Sequence, residues 1–190
     1  EWNKKPDIAL VVFGEEPYAE GQGDVETLGY KGGATHDLQL IKKLRAQNIP
    51  VVSVFITGRP LWMNAEINAS NAFVVAWLPG SEGQGIADVL VADAKGQPRY
   101  DFTGRLSFEW PNADINVDDA KLPVLDQLLS VGAGLSYGDE AILSESLRDK
   151  PLSNVATVGE VIFAGSSRGA WTMLAGDEDS WRQEIKGRSF

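Results

Sequence analysis

Four carboxylates cluster directly behind the first apolar run of the chain, where a polar, glycine-rich loop begins. They are Glu15, Glu16, Glu20 and Asp24. A glutamate beside a sheet can act as a general acid when partial burial and a neighbouring carboxylate favour its protonated form. The simpler alternative is that all four are solvated loop acids, and position and charge alone favour that alternative. Glu15 comes first after the run and its terminal glycine, so it is the best placed for chemistry.

A second loop, residues 57–60, carries Arg59 and is followed closely by Trp62. The planar guanidinium of Arg59 could bind an anionic partner or orient a carboxylate of the first loop. A structural ion pair between the two loops is the favoured alternative. Trp62 could reach the same cleft, where its aromatic ring would pack against the apolar face of a sugar.

A third loop, residues 77–83, leads into a predicted helix beside the same cleft. The N-terminus of a helix can bind an anion. Glu82 lies in the first turn of this helix and already complements its dipole. A structural role is therefore the favoured interpretation of the third loop.

Several familiar catalytic and cofactor motifs are absent from the sequence. The chain has no cysteine and a single histidine, His36, which excludes thiol catalysis, disulfides and clusters of imidazole ligands. Residues 80–83 lack the glycine that a nucleophile elbow requires two positions before its serine, and no segment matches the dinucleotide-binding fingerprint. A calcium site at Asp114, Asp118 and Asp119 is conceivable, but a solvated acidic loop is favoured. We expect no metal and no cofactor.

The elements that must position these loops alternate between two sequence patterns. Continuous apolar runs predict strands buried on both faces, as in a parallel sheet. The strands are predicted at residues 8–13, 51–56 and 72–77. Helices are predicted after caps at Thr35 and Ser81, with a short helix over about residues 61–68. The predicted fold class is α/β, a mostly parallel sheet flanked by helices, and its carboxyl-end loops share one edge.

The second half of the chain shows a different character. We expect an extended strand over residues 102–111, a solvated loop over 112–119, and a short helix with a glycine turn within 122–137. Residues 158–163 and 169–174 predict a β-hairpin. The predicted organisation is a partial α/β sandwich domain over 1–137, a linker over 138–155, and the first strands of a truncated β-sandwich over 156–190.

Bulk composition narrows the classes of partner. The chain has 190 residues, of which 43% are hydrophobic, and a formal net charge of −10. Such a charge repels phosphate backbones and anionic membrane surfaces, so we expect no nucleic-acid or membrane partner. No apolar stretch approaches the roughly 20 residues of a membrane span. Three strands make a small sheet, so we expect the chain to be a piece of a longer protein, with further strands before Glu1.

The loop motifs, taken together and in order, resemble those of family 3 glycoside hydrolases. Residues 11–20 with the glycine and aspartate at 23–24 look like the acid/base loop of that family, and residues 57–61 are similar to a second motif. Residues 76–90 are similar to the third and most specific motif. Residues 102–106 and 134–137 match the closing motifs. The resemblance covers about residues 7–137 and is greatest to β-glucan exohydrolases and β-glucosidases.

The resemblance implies a two-domain retaining enzyme that removes glucose from β-linked glucans or oligosaccharides. An upstream (β/α)₈ barrel would carry the aspartate nucleophile, and Glu15 would be the general acid/base. Five further residues would bind substrate or orient the loop: Glu16, Glu20, Asp24, Arg59 and Trp62. This chain alone would then be inactive, and the protein would be periplasmic or extracellular. The alternative is a non-catalytic carbohydrate-binding or interaction module on the same fold.

Overall fold

The structure is a computed structural model that describes residues 4–30, 35–114, 127–140, 143, 146–150, 172–175 and 183–186. The chain divides into two units, Glu1–Val155 and Ala156–Phe190, and each is considered by itself.

A parallel sheet forms the centre of the first unit. Its strands β1 (Ala9–Gly14), β2 (Val51–Ile56) and β3 (Ala72–Trp77) lie in the order β1-β2-β3. The register runs from Ala9 opposite Val51 to Gly14 opposite Ile56. Both neighbouring pairs of strands are parallel, which confirms the predicted α/β class.

Three α-helices follow the strands, as the sequence predicts. They are α1 (His36–Ala46), α2 (Asn64–Ala69) and α3 (Gly83–Leu90). Thr35 caps α1 as predicted, because its hydroxyl oxygen accepts the Leu38 N–H at 3.0 Å. The predicted cap of α3 is wrong: Glu82 is its N-cap residue, and the Ser81 hydroxyl donates to the Glu82 carboxylate at 3.1 Å instead.

An aromatic cluster lies in the core beside the sheet. Phe55 is fully buried, and its ring centroid lies 5.6 Å from that of Phe13 and 5.2 Å from that of Tyr30. Ile41 of α1 is also fully buried. Large apolar side chains on one face of the sheet therefore anchor the strand from which the first loop leaves.

The other face of β1 is exposed, so the expectation of a strand buried on both faces is wrong. Val11 and Phe13 are buried, whereas Leu10 is 52% and Val12 64% exposed. Side chains of a strand point alternately to opposite faces. A continuous apolar run shows that both faces of a strand are apolar. It does not show whether other elements of the structure cover both faces.

The segment after α3 forms less regular structure than predicted. The expected strand over residues 102–111 is reduced to β4 (Trp110–Pro111), which pairs antiparallel with β5 (Gln127–Leu129). Strand β5 also replaces part of the helix predicted within 122–137, while residues 115–126 lie outside the described residues. The glycine turn is present, with Gly132 at φ +83°. The start of the predicted solvated loop is not solvated, since Ala113 is 1% exposed.

Part of the predicted linker belongs to the first unit and is hydrogen-bonded to α2. The Asn68 side chain accepts the Leu147 N–H at 2.8 Å and donates to the Leu147 carbonyl at 2.7 Å. In the second unit, β6 (Thr172–Ala175) pairs antiparallel with β7 (Gln183–Lys186), a partner that the sequence did not predict. The predicted strand at residues 158–163 lies outside the described residues.

Candidate active site

The candidate site lies where hydrogen bonding of the sheet continues into two loops. The Glu15 N–H donates to the Ile56 carbonyl at 3.0 Å, and the Thr57 N–H donates to the Trp77 carbonyl at 3.2 Å. A Cβ on Gly14 would overlap the Ile56 carbonyl, so only glycine lets these strands approach so closely there. The first two loops are therefore fixed to the sheet at their first residues.

The end of β3 is strained at Trp77, which has φ +55°. The register of the β2–β3 pairing shifts at this point, since Phe55 lies opposite Val75 and Ile56 opposite Trp77. A bulky residue in the left-handed region costs on the order of 1–3 kcal/mol. Its ring packs edge-on against Phe108 at 5.6 Å and Trp110 at 6.1 Å, which compensates for part of that strain. Strain of this kind is common at functional sites.

Both carboxylate oxygens of Glu15 have close partners, one through an ion pair and the other through hydrogen bonds. Oε1 lies 3.1 Å from Arg59 Nε. Oε2 accepts the Thr57 hydroxyl at 2.6 Å, the Gly58 N–H at 3.2 Å and the Tyr18 hydroxyl at 3.2 Å. The side chains of Glu15 and Arg59 are only 15% and 19% exposed. Their donors hold the carboxylate in one orientation.

Arg59 is itself fixed by Tyr18. Its Nε donates to the Tyr18 hydroxyl at 3.1 Å, and its guanidinium carbon lies 4.2 Å from the centre of the tyrosine ring. A Cβ on Gly58 would come within 2.5 Å of the Tyr18 hydroxyl, so Gly58 leaves room for the ring. The stacked arginine and tyrosine thus form a rigid wall beside Glu15.

A cleft of about 540 Å³ opens beside this carboxylate. That volume falls within the range of small-molecule sites, about 300–1,000 Å³. Its walls combine carboxylates, amides and hydroxyls with apolar surface from Val25 and Leu61. This mixture suits a ligand with many hydroxyl groups and apolar ring faces.

The structure brings together only some of the residues that the sequence singled out. Glu15, Glu16 and Arg59 line the cleft, whereas Glu20 and Asp24 are exposed and do not line it. Trp62 does not line it either.

Trp62 has a structural place instead. It is 6% exposed, and its backbone bridges that of Gly29, with the Tyr30 N–H donating to the Trp62 carbonyl at 3.1 Å. The neighbouring Leu61 contributes the apolar wall of the cleft.

Sequence reasoning missed the contacts that Thr57, Gly58 and Tyr18 make with Glu15. A signal for Thr57 was present, because a parallel register that pairs Gly14 with Ile56 also places Glu15 next to residue 57. A hydroxyl or N–H donor directly after β2 was therefore to be expected.

Behind the cleft, Tyr30 is almost fully buried and its hydroxyl lies 3.0 Å from the Gly14 carbonyl and 2.9 Å from Asp37 Oδ2. Burial and the hydrogen bond to Asp37 raise the pKa of Tyr30 far above its ordinary value. Tyr30 therefore stays a neutral hydroxyl that ties the end of β1 to the first turn of α1. Among the described residues, no three His, Asp or Glu side chains lie close enough to hold a metal ion.

None of the helices in the described part of the chain is long and apolar enough to cross a membrane.

A family model, the glycosyl hydrolase family 3 C-terminal domain, matches residues 1–137. The chain is 32% identical over 145 residues to the lysosomal beta glucosidase of Dictyostelium discoideum, covering 72% of the chain and 17% of that protein. It is 30% identical over 146 residues to the xylan 1,4-beta-xylosidase of Xylanibacter ruminicola, covering 71% and 16%. It is 31% identical over 114 residues to the periplasmic beta-glucosidase of Salmonella typhimurium, covering 58% and 14%. The chain therefore spans about a sixth of the length of these relatives.

Two crystal structures of an exo-1,3/1,4-beta-glucanase from a Pseudoalteromonas species have a similar fold. A single-site mutant is 51% identical to the chain, with a TM-score of 0.72, over 80% of the chain and 24% of the other. A second structure is 42% identical, with a TM-score of 0.71, over 98% of the chain and 23% of the other. The fold of the chain is thus shared with solved structures.

Proposed function

Because the chain belongs to glycosyl hydrolase family 3, whose C-terminal domain it carries, we propose that Glu15 is the general acid/base of an exo-acting retaining β-glucosidase or β-glucan glucohydrolase. One observation supports this role above others. Glu15 lines the cleft, is partly buried and is held by donors from two loops. No other carboxylate of the first loop combines these three properties. A fixed, partly desolvated carboxylate suits an acid/base group better than a solvated one does.

The proposed mechanism needs a second carboxylate about 5–5.5 Å away, which we assign to an aspartate of an upstream (β/α)₈ barrel domain of the same protein. The aspartate attacks the anomeric carbon while protonated Glu15 gives its proton to the departing glycosidic oxygen. Glu15 then takes a proton from water, which releases glucose from the covalent intermediate. The 190-residue chain alone, lacking that partner, should therefore show no turnover.

The substrate we propose is a β-linked glucan or oligosaccharide, cleaved from its end. Both solved relatives are named exo-1,3/1,4-beta-glucanase, and two curated relatives are named β-glucosidases. A relative named periplasmic beta-glucosidase supports a periplasmic or extracellular location. The net charge of −10 favours a neutral sugar over nucleic acid as partner.

The test is hydrolysis of aryl β-glucosides by the full-length protein and by its Glu15→Gln form. We expect the rate on a poor leaving group to fall about 10²- to 10⁴-fold, since proton donation is lost. Azide should restore turnover of a substrate with a good leaving group, because it attacks the intermediate without needing a base. Glu20→Gln, at an exposed residue outside the cleft, is the matched control. Unchanged activity of Glu15→Gln would instead support a carbohydrate-binding module.

A further inference from the structure

We propose that Thr57 is a positioning residue that holds one oxygen of Glu15, Oε2, and thereby assigns proton transfer to the other, Oε1. This inference rests on the proposed acid/base role of Glu15. It concerns the side chain that orients the carboxyl group of Glu15, a role that the sequence motifs do not assign to Thr57.

The two carboxylate oxygens have unequal surroundings. Oε2 accepts three hydrogen bonds, from the Thr57 hydroxyl at 2.6 Å, the Gly58 N–H at 3.2 Å and the Tyr18 hydroxyl at 3.2 Å. Oε1 has one close donor among the described residues, Arg59 Nε at 3.1 Å. A proton on Oε2 would face three donors, whereas a proton on Oε1 would face one.

The donors also differ in whether they have another acceptor. The Gly58 N–H belongs to the backbone, cannot turn, and has no second acceptor among the described residues. The Arg59 Nε–H has one, because it also lies 3.1 Å from the Tyr18 hydroxyl oxygen. Protonating Oε1 therefore leaves the arginine N–H bonded to Tyr18, whereas protonating Oε2 weakens the acceptor of a backbone N–H that has no other acceptor among the described residues.

Thr57 is built to be the main anchor of Oε2. It is fully buried, so water cannot replace its hydroxyl. Its backbone N–H donates to the carbonyl of strained Trp77, and its hydroxyl oxygen accepts the backbone N–H of Arg59 at 3.2 Å. The hydroxyl also lies 2.8 Å from the Arg59 carbonyl, but its single hydrogen favours the closer, charged oxygen of Glu15 at 2.6 Å. Backbone and side chain of Thr57 therefore fix the rotation of the carboxylate about its last bond.

In the first step Oε1–H gives its proton to the glycosidic oxygen as the bond to the anomeric carbon breaks, which leaves the ionised Oε1 3.1 Å from Arg59 Nε. In the second step Oε1 takes the proton of the attacking water. The Thr57 hydroxyl donates to Oε2 throughout.

The experiment compares Thr57→Val and Thr57→Ser in the full-length protein on two aryl β-glucosides. Valine keeps the shape and loses the hydroxyl; serine keeps the hydroxyl. With the phenyl glucoside, which needs proton donation, we expect kcat/KM of Thr57→Val to fall about tenfold to hundredfold. With the 2,4-dinitrophenyl glucoside, which needs none, we expect a change of less than about threefold. Thr57→Ser should stay close to wild type on both.

The leaving-group comparison and the serine variant separate positioning from a structural defect. A loss confined to the phenyl glucoside and restored by serine indicates that positioned proton donation has been lost. Equal losses on both glucosides, or wild-type behaviour of Thr57→Val, would overturn the role of Thr57. Wild-type activity of Glu15→Gln would instead refute the proposed function itself.

A structural measurement decides the case even if Thr57→Val fails to fold. A glucose-fused imidazole places a ring nitrogen where the glycosidic oxygen would lie. In a crystal structure of the full-length wild-type protein with this inhibitor, we expect that nitrogen against the Glu15 oxygen that does not contact Thr57. A nitrogen bonded to the Thr57-bound oxygen would contradict the assignment.

Discussion

At the scale of single residues, contacts rather than residue type distinguish Glu15 from its neighbours. Glu16 follows it directly and is exposed, while Glu15 accepts hydrogen bonds from three residues and forms an ion pair with a fourth. The donors are Thr57, Gly58 and Tyr18, and the ion-pair partner is Arg59. The difference arises because β1 and β2 end together and Glu15 is the first residue past that end. A catalytic role therefore depends on a donor set contributed largely by another loop.

The ion pair between Arg59 and Glu15 gives the first prediction. Lysine keeps the positive charge but has neither the planar fork nor the stacking surface that places Nε between Glu15 and Tyr18. We expect Arg59→Lys to lower kcat/KM of the full-length protein by about tenfold to hundredfold, the worth of one charge-assisted bond.

The matched control for Arg59 is Arg99→Lys. Arg99 pairs with Asp88 at 3.0 Å, but its side chain is 64% exposed, so its loss should leave activity unchanged. Equal kcat/KM for Arg59→Lys and wild type would show that the guanidinium is dispensable for orienting the carboxylate.

A second prediction concerns the space that Gly58 leaves for Tyr18. Gly58→Ala would bring a methyl group to 2.5 Å from the Tyr18 hydroxyl and displace it from both Glu15 and Arg59. We expect kcat/KM to fall about tenfold to hundredfold, as two hydrogen bonds are lost, while the melting temperature changes little. Gly85→Ala in α3, where nothing lies within 4 Å of the new methyl, should keep full activity. If both variants behave alike, close packing on Tyr18 does not matter for catalysis.

At the scale of elements, α1 and α2 are joined through a buried carboxyl. Glu66 of α2 is 2% exposed and accepts the hydroxyl of Thr35, the cap of α1, at 3.2 Å. Burial raises the pKa of Glu66 above its ordinary value of 4.5, although hydrogen bonds from its own backbone and from Thr35 oppose the rise. Asp37 and Lys42 act on it in opposite directions.

The third prediction follows from the sign of that shift. The folded state holds the Glu66 proton more tightly than the unfolded state, so this stabilising contribution is complete below pH 4.5 and is lost as pH rises through the raised pKa. Glu66→Gln should remove this part of the pH dependence and raise the free energy of unfolding at neutral pH. Urea unfolding between about pH 4 and pH 8 measures both. An unchanged slope of stability against pH in the variant would show that Glu66 titrates normally.

The sequence predicted some elements well and others poorly, for identifiable reasons. Strands β2 and β3 fall on the predicted residues, because apolar runs bounded by polar loops leave little choice. The Thr35 cap and the buried face at Leu38, Ile41 and Leu44 follow equally from local spacing. Strand β4 depends on β5, a partner on the far side of residues 112–126 that local patterns do not specify. Strand β6 pairs with the nearby β7, a mostly polar segment that apolar patterns do not indicate.

The same distinction holds within the site. Glu15 and Arg59 were identified from their places after strands, and both line the cleft. Thr57 and Tyr18 were not, since their importance lies in distances across two loops. Trp62 was overestimated because an aromatic residue near a loop resembles a sugar platform whether or not its ring is buried.

At the scale of the molecule, one face of the edge strand β1 is apolar and exposed to water. Leu10 and Val12 are more than half exposed on the central stretch of β1, and Ile8 before the strand is 54% exposed. Parallel sheets are ordinarily covered on both faces. The chain is also only about a quarter as long as its solved relatives.

The fourth prediction is that this face makes the purified 190-residue chain bind hydrophobic dyes and self-associate. Val12→Lys should reduce dye binding and shift sedimentation toward the monomer, because a charged residue on an exposed strand position opposes association. Val91→Lys, at a residue 55% exposed beyond α3, is the control and should change neither. A wild-type chain that sediments as a monomer without binding dye would refute the prediction.

The backbone hydrogen bonds that extend the sheet into its first two loops affect how long the site geometry persists. The Glu15 amide is held by Ile56 and the Thr57 amide by Trp77, so each loop residue is secured by the strand beside it. Such amides exchange with solvent only when the strands themselves part, rather than by the rapid fraying usual in loops. The lifetime of the loop geometry around Glu15 is then that of the sheet, and warming should abolish both in a single cooperative event.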